Sequence, residues 1–117
     1  MGGIAWRSGS GIGGIAWRRW QCTIVHRAMR VEWDREKART NSVKHGVSFA
    51  DAVTALEDEQ AITVADEREA EARWVTIGMD GQGRLLVVVY TWRGNAVRVI
   101  SARKATARER RSYEEAI

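Results

Sequence analysis

Between residues 72 and 102 three apolar stretches are joined by turns too short to hold a crossover. That spacing restricts the fold more than any other feature of the chain. The stretches are 72–78, 84–92 and 96–102, separated by Asp80-Gly81-Gln82-Gly83 and by Arg93-Gly94-Asn95. Parallel neighbours need a dozen or more residues to return the chain, so turns this tight force antiparallel pairing, a β-meander. The run from Leu85 to Val89 is apolar at successive positions and reads as a central strand, covered on both sides. The chain has no proline, so its turns rest on Gly, Asn and Asp.

The flanking segments complete an α+β pattern. Arg30-Val31-Glu32-Trp33 reads as a short strand, and Asp34 as the N-cap of a helix of about ten residues that His45-Gly46 closes. Ser48 caps a second helix, with Asp51 three residues on and Phe49, Ala52, Val53 and Leu56 as its apolar stripe. Residues 61–65 form a further short apolar element, and 106–116 reads as a closing helix. The expected architecture is an antiparallel sheet with two N-terminal helices and a C-terminal helix laid over one face.

Charge divides the chain at Met29. Residues 1–28 carry Arg7, Arg18, Arg19 and Arg27 and no acid, whereas the remaining acidic and basic groups cancel. The net charge of +4 therefore belongs to the head, and whole-chain charge says nothing about what the body binds. The head repeats Gly-Gly-Ile-Ala-Trp-Arg at 2–7 and 13–18 and lacks helix or strand periodicity. It is expected to be a disordered or non-native extension, with one domain over 29–117. Single Cys22 excludes an intrachain disulfide and a cysteine metal cluster; His26 and His45 alone cannot build a His-rich site. No apolar run approaches the ~18 residues of a membrane span, so a soluble, cytoplasmic protein with no membrane partner is expected.

Cofactor motifs are missing: no phosphate loop, no dinucleotide fingerprint, no His-Glu helix pair for zinc. The glycines at 78, 81 and 83 read as hairpin punctuation. What stands out is arginine within strands. Arg73, Arg84, Arg98 and Arg103 lie in or at the ends of the meander, with Trp74, Tyr90 and Trp92 nearby. Guanidinium forks bind phosphate oxygens and aromatic rings stack bases, so this set suits RNA. Strict alternation puts Arg98 with Ile100 and Ala102, Arg103 with Val99 and Ser101, and Arg73 with Val75 and Ile77. The plainer reading pairs each arginine with one of the body's carboxylates. His45, next to Lys44, is a candidate acid or base, or simply a cationic helix terminus. Tyr113 is core or a proton donor, and the acidic run Asp66, Glu67, Glu69 and Glu71 is a solvated loop or a cover for a basic site.

Trp33-Asp34, Lys44-His45-Gly46-Val47-Ser48-Phe49 with Ala52, Asp66, Arg73, Ile77-Gly78, Gly83-Arg84 and Val88-Val89 together resemble the BrnT toxin family. The block Arg98-Val99-Ile100-Ser101-Ala102-Arg103-Lys104-Ala105, with Glu109-Arg110 and Tyr113, extends the resemblance, which runs from Met29 to about Ala116. The family often has Asp-Pro after the second helix, where this chain has Asp58-Glu59.

The resemblance implies a RelE-like fold and a bacterial ribonuclease toxin of a type II toxin–antitoxin system that arrests translation. It also implies a BrnA-type ribbon-helix-helix antitoxin as partner, contact with promoter DNA only through that antitoxin, and a homodimer within the complex. RNA is the expected substrate, cleaved by 2′-hydroxyl attack with no metal and no cofactor. Arg73, Arg98 and Arg103 are expected to hold the phosphate and transition state. His45 or Lys44 would move protons, with Tyr113 third; Arg84, Trp92 and Arg93 would bind RNA. The alternative is a non-catalytic α+β module, a degenerate toxin that binds RNA or protein without cutting.

Overall fold

The computed structural model describes residues 30–66 and 72–116, together with the backbone of two short strands in the head. In chain order the described elements are β1 (Ala5–Arg7), β2 (Trp17–Arg19), β3 (Arg30–Glu32), α1 (Arg35–His45), α2 (Phe49–Leu56), β4 (Ile62–Asp66), β5 (Arg73–Met79), β6 (Leu85–Arg93), β7 (Ala96–Lys104) and α3 (Ala107–Glu115). They form a mixed α+β fold around one sheet ordered β1-β2-β4-β5-β6-β7-β3. The meander expected from the turns is β5-β6-β7, antiparallel throughout, and 61–65 supplies β4 beside it. The first strand of the body returns to the far edge and runs parallel to β7, with Glu32 opposite Arg98. In the head, Ala5–Arg7 and Trp17–Arg19 pair with each other, and the second also pairs with β4. The rest of the head, and Glu67, Glu69 and Glu71 of the acidic run, lie outside the described residues.

The helices do not share one face, which corrects the sequence expectation. Phe49, Ala52, Ala55 and Leu56 of α2 bury themselves with Val47 on Leu86, Val88, Tyr90, Val97, Val99 and Ala102. Tyr113 of α3 packs instead with Ile62, Ile77, Leu85 and Val87 on the opposite face. The middle strand is apolar on both sides because it has a helix on each. On the α2 side Gly78 is no turn residue. A Cβ there would lie 2.2 Å from the Ala55 carbonyl oxygen, so its missing side chain lets α2 sit on the sheet.

Helix α1 is held differently. Its sequence is almost wholly polar, Ala38 is the one apolar residue that packs inward, and Val43 is 84% exposed. Asp34 occupies the N-cap position, but its side chain makes no capping bond. The anchor is buried Asn41. Its Nδ2 donates to the Val47 and Ala102 carbonyls at 3.0 and 2.8 Å, and its Oδ1 accepts from the Ala102 N–H at 3.1 Å. Beyond Glu32 the edge of β7 has no neighbouring strand, and this amide takes a strand's place there. Among the described residues no helix is long and apolar enough to cross a membrane.

Candidate nucleic-acid interface

One irregularity decides which arginines share a face. Val89 pairs with Ser101 and Tyr90 with Val99, so Ile100 is left without a partner, a β-bulge. The extra residue changes the parity of β7. Arg98 lies opposite Thr91, Ser101 opposite Val89 and Arg103 opposite Val87. Positions 87, 89 and 91 point one way, so Arg98, Ser101 and Arg103 share the α3 face, where strict alternation separates Arg98 from Arg103. Arg73 is on that face too, because Val75 pairs with Val89 and Ile77 with Val87.

Across the strands these positions form a row. Asp66 pairs with Arg73, Thr91 with Arg98, and Arg98 with Glu32. The β5–β6 register carried on by one residue sets Arg73 beside Thr91. The row thus reads Asp66–Arg73–Thr91–Arg98–Glu32 over five strands, with a carboxylate at each end. Arg98 Nε lies 3.6 Å from Glu32 Oε1, an ion pair too long for a hydrogen bond. Arg73 Nε, Thr91 Oγ1 and Arg98 Nε are all buried and have no hydrogen-bond partner. Buried polar atoms are nearly always paired, so three orphans on one row single it out as the candidate site. On the next rung Arg30 and Arg93 flank Ala96, both exposed, which extends the cationic end of the face.

The other expected site residues stand elsewhere. Arg103 is four β6 positions from the row, ~13 Å along the strand. It makes a two-pronged pair with Glu109 of α3, at 2.8 and 2.7 Å. That hydrogen bonding raises the Arg103 pKa above its ordinary value. Burial pushes the Glu109 carboxyl up, but hydrogen bonds from Arg103 and Thr106, with the Arg103 charge, outweigh it and hold the group below its usual range. Arg84 closes the Asp80–Gly83 turn. Its Nε donates to Asp80 Oδ2 at 2.9 Å and its Nη2 to Asp51 Oδ2 at 2.8 Å. Tyr113 donates its hydroxyl proton to Asp58 Oδ2 at 2.6 Å, pinning α3 to the loop before β4. Trp74, Tyr90 and Trp92 pack against the α2 core, on the face opposite the arginine row, so no aromatic of this trio lies over it.

Lys44 and His45, from the last turn of α1, line a cleft of about 290 Å³ with Glu36, Lys37, Thr40, Asn41, Ile100 and Ser101. Lys44 is exposed and His45 half-buried. Ser101 belongs both to this cleft and to the arginine face, so the two features meet across the edge of β7. Sequence reasoning passed over Arg30, Glu32, Asn41 and Thr91. Thr91 did leave a signal, as the one aliphatic hydroxyl in the largely apolar middle strand. Among the described residues no cluster of three or more His, Cys, Asp or Glu side chains could hold a metal ion.

Residues 33–109 match a family model described as the ribonuclease toxin BrnT of a type II toxin–antitoxin system. The fold is similar to the crystal structure of the Brucella abortus ribonuclease toxin BrnT, with a TM-score of 0.52 and 31% sequence identity. That likeness covers 67% of this chain and 97% of the other. No curated protein sequence matches the chain.

Proposed function

The chain belongs to the BrnT family of ribonuclease toxins of type II toxin–antitoxin systems, and from that premise we propose that it cleaves RNA at the arginine row of its sheet. In this reading the 2′-oxygen attacks the adjacent phosphorus, the bond to the 5′-oxygen breaks, and a 2′,3′-cyclic phosphate remains. The reaction needs a base for the 2′-hydroxyl proton, compensation for charge on the phosphoryl oxygens, and an acid for the departing 5′-oxygen. Arg73 and Arg98 supply the compensation as fixed cations, the kind of preorganised charge worth ~2.7–4 kcal/mol per well-placed donor. Because guanidiniums carry that load, no metal is assigned to the step. His45 or Lys44, reaching from the adjoining cleft, moves the proton. Arg30 and Arg93 track the neighbouring backbone. Arg84, Arg103 and Tyr113 are held by carboxylates and are assigned to the scaffold.

The observation that carries this reading is the row itself: two guanidiniums rooted in the strands on either side of β6, each with a buried Nε that has no hydrogen-bond partner. Arrest of translation in a bacterial cytoplasm, neutralisation by a BrnA-type ribbon-helix-helix antitoxin, a homodimer within that complex, and promoter contact through the antitoxin alone belong to the same proposal. So do the RelE-like label and the placing of 1–28 outside the toxin domain. Induced expression tests it. The parent chain should stop growth and strip bulk RNA from the cells, and Arg73→Ala and Arg98→Ala should each restore growth at equal protein level. Undiminished arrest by both variants removes the row from the site. RNA that is retarded but left intact by the purified chain, with or without chelator, would establish the non-catalytic module instead.

A further inference from the structure

Thr91 is 1% exposed, its hydroxyl has no partner, and it lies between two arginines whose Nε atoms are equally orphaned. A threonine inside a covered strand ordinarily turns its hydroxyl to a neighbour, as Thr76 does on the other face, bonding Thr63 and Tyr90 at 2.8 and 2.9 Å. Nothing on the arginine face does this for Thr91. The position would suit valine as strand filler, since valine has nearly the same shape and the site is covered. A hydroxyl kept there without a partner is a donor held in reserve.

We propose that Thr91 is a phosphate-binding residue: its hydroxyl, with Arg73 Nε and Arg98 Nε, forms a three-donor cradle for one phosphodiester group of the RNA. This rests on the ribonuclease reading of the same row and adds to it the group that fixes the phosphate between the two cations. The register makes the arrangement possible. Adjacent strands are ~4.8 Å apart, so the arginine backbones stand ~10 Å apart with Thr91 midway, and two long side chains can fold inward over it. All three atoms can donate, none has a hydrogen-bond partner, and the oxygens of an anionic phosphate accept from such donors. Glu32 Oε1 stands 3.6 Å from Arg98 Nε, beyond hydrogen-bond reach, so that N–H is not committed to a protein acceptor and is open to a phosphate oxygen.

The test compares Thr91→Val and Thr91→Ser with the full parent chain. Three quantities are measured: melting temperature, cleavage rate on single-stranded RNA, and affinity for a 2′-deoxy oligonucleotide that cannot be cut. Thr91→Val should melt at or above the parent, since the hydroxyl gives up no protein partner. Its cleavage rate should fall about 100-fold, the loss seen when one oxyanion donor is removed. Its hold on the uncleavable oligonucleotide should weaken, and Thr91→Ser should recover most of both. A lower melting temperature or failure to fold in Thr91→Val means the hydroxyl is structural, and overturns the assignment. Cleavage by Thr91→Val at the parent rate overturns it too, while leaving the ribonuclease reading intact. If the parent itself cuts no RNA, the ribonuclease reading fails, and the oligonucleotide affinities alone decide whether Thr91 holds a phosphate.

Discussion

Replacing Asn41 with alanine should unfasten α1 from the sheet. The helix has little else to hold it, because its inward contribution is Ala38 and its largest aliphatic residue, Val43, points to water. Asn41→Ala removes two donated bonds, to Val47 and Ala102, and one accepted from the Ala102 N–H. At ~1 kcal/mol net per bond the loss is about 3 kcal/mol, and the buried Ala102 N–H left without a partner adds to it. For a domain of this size that corresponds to a fall of about 12 °C or more in melting temperature. Urea unfolding followed by far-ultraviolet circular dichroism reads the value directly, with an unchanged slope showing that only stability moved. Asn41→Asp should cost at least as much, since it trades a donor for a second acceptor facing two carbonyls. Val43→Ala on the same helix should change stability by less than ~0.5 kcal/mol. A loss under ~1 kcal/mol for Asn41→Ala would refute the claim that a side-chain amide, rather than apolar packing, docks this helix.

Gly78→Ala should be costly for its size. The new methyl would sit 2.2 Å from the Ala55 carbonyl, and the resulting displacement of α2 should cost ~1–3 kcal/mol in urea unfolding. Tyr113→Phe removes one hydrogen bond to the Asp58 carboxylate, which keeps those from the Met79 and Gln60 N–H groups, and should lose roughly 1–3 kcal/mol while the folded fraction cuts RNA at the parent rate. A cleavage loss with stability intact would make Tyr113 the proton donor after all. Acid titration should weaken the fold through Glu109 and Asp80. Both carboxyls are held below their ordinary values of 4.5 and 3.8, so their contribution is complete above those values and disappears as pH falls through the folded-state ones. Glu109→Gln should flatten the upper part of that acid limb in thermal melts; an unchanged slope would contradict the pairing with Arg103.

The meander was legible because its information is local. Turn residues at 80–83 and 93–95 and an apolar run between them specify antiparallel neighbours without reference to anything distant. Ser48 and Gly46 likewise carry their caps in their own chemistry: Ser48 accepts from the Asp51 N–H, and Gly46 sits at φ 69°. What failed was parity. The bulge at Ile100 has no glycine or proline to announce it, and one unpaired residue moves every side chain beyond it to the other face. The bulge therefore brings Arg98 onto the face of Arg103, while alternation within β5 and β6 alone puts Trp74, Tyr90 and Trp92 on the α2 side. Pairing over long sequence distances was also hidden. Nothing near Glu32 shows that it will run parallel to β7 beside Arg98. The clamp on Arg103 was closer to view. Thr106 and Glu109 stand at capping-box spacing, and the carboxylate that completes the box at 2.8 Å also grips the guanidinium. The plainer reading, an arginine matched to its own acid, holds for Arg84 and Arg103; Arg98 meets Glu32 only at 3.6 Å, and the Nε atoms of Arg73 and Arg98 have no hydrogen-bond partner.

The most direct measurement is a single-turnover cleavage assay in excess chelator, with the parent chain beside Arg73→Ala and Arg98→Ala at matched folded concentration. The parent should release fragments ending in 2′,3′-cyclic phosphate, and each variant should be slower by at least about 100-fold, the scale of one lost charge-stabilising donor. Variants that cut as fast as the parent, or fragments that carry 3′-hydroxyl ends from the outset, would contradict the account.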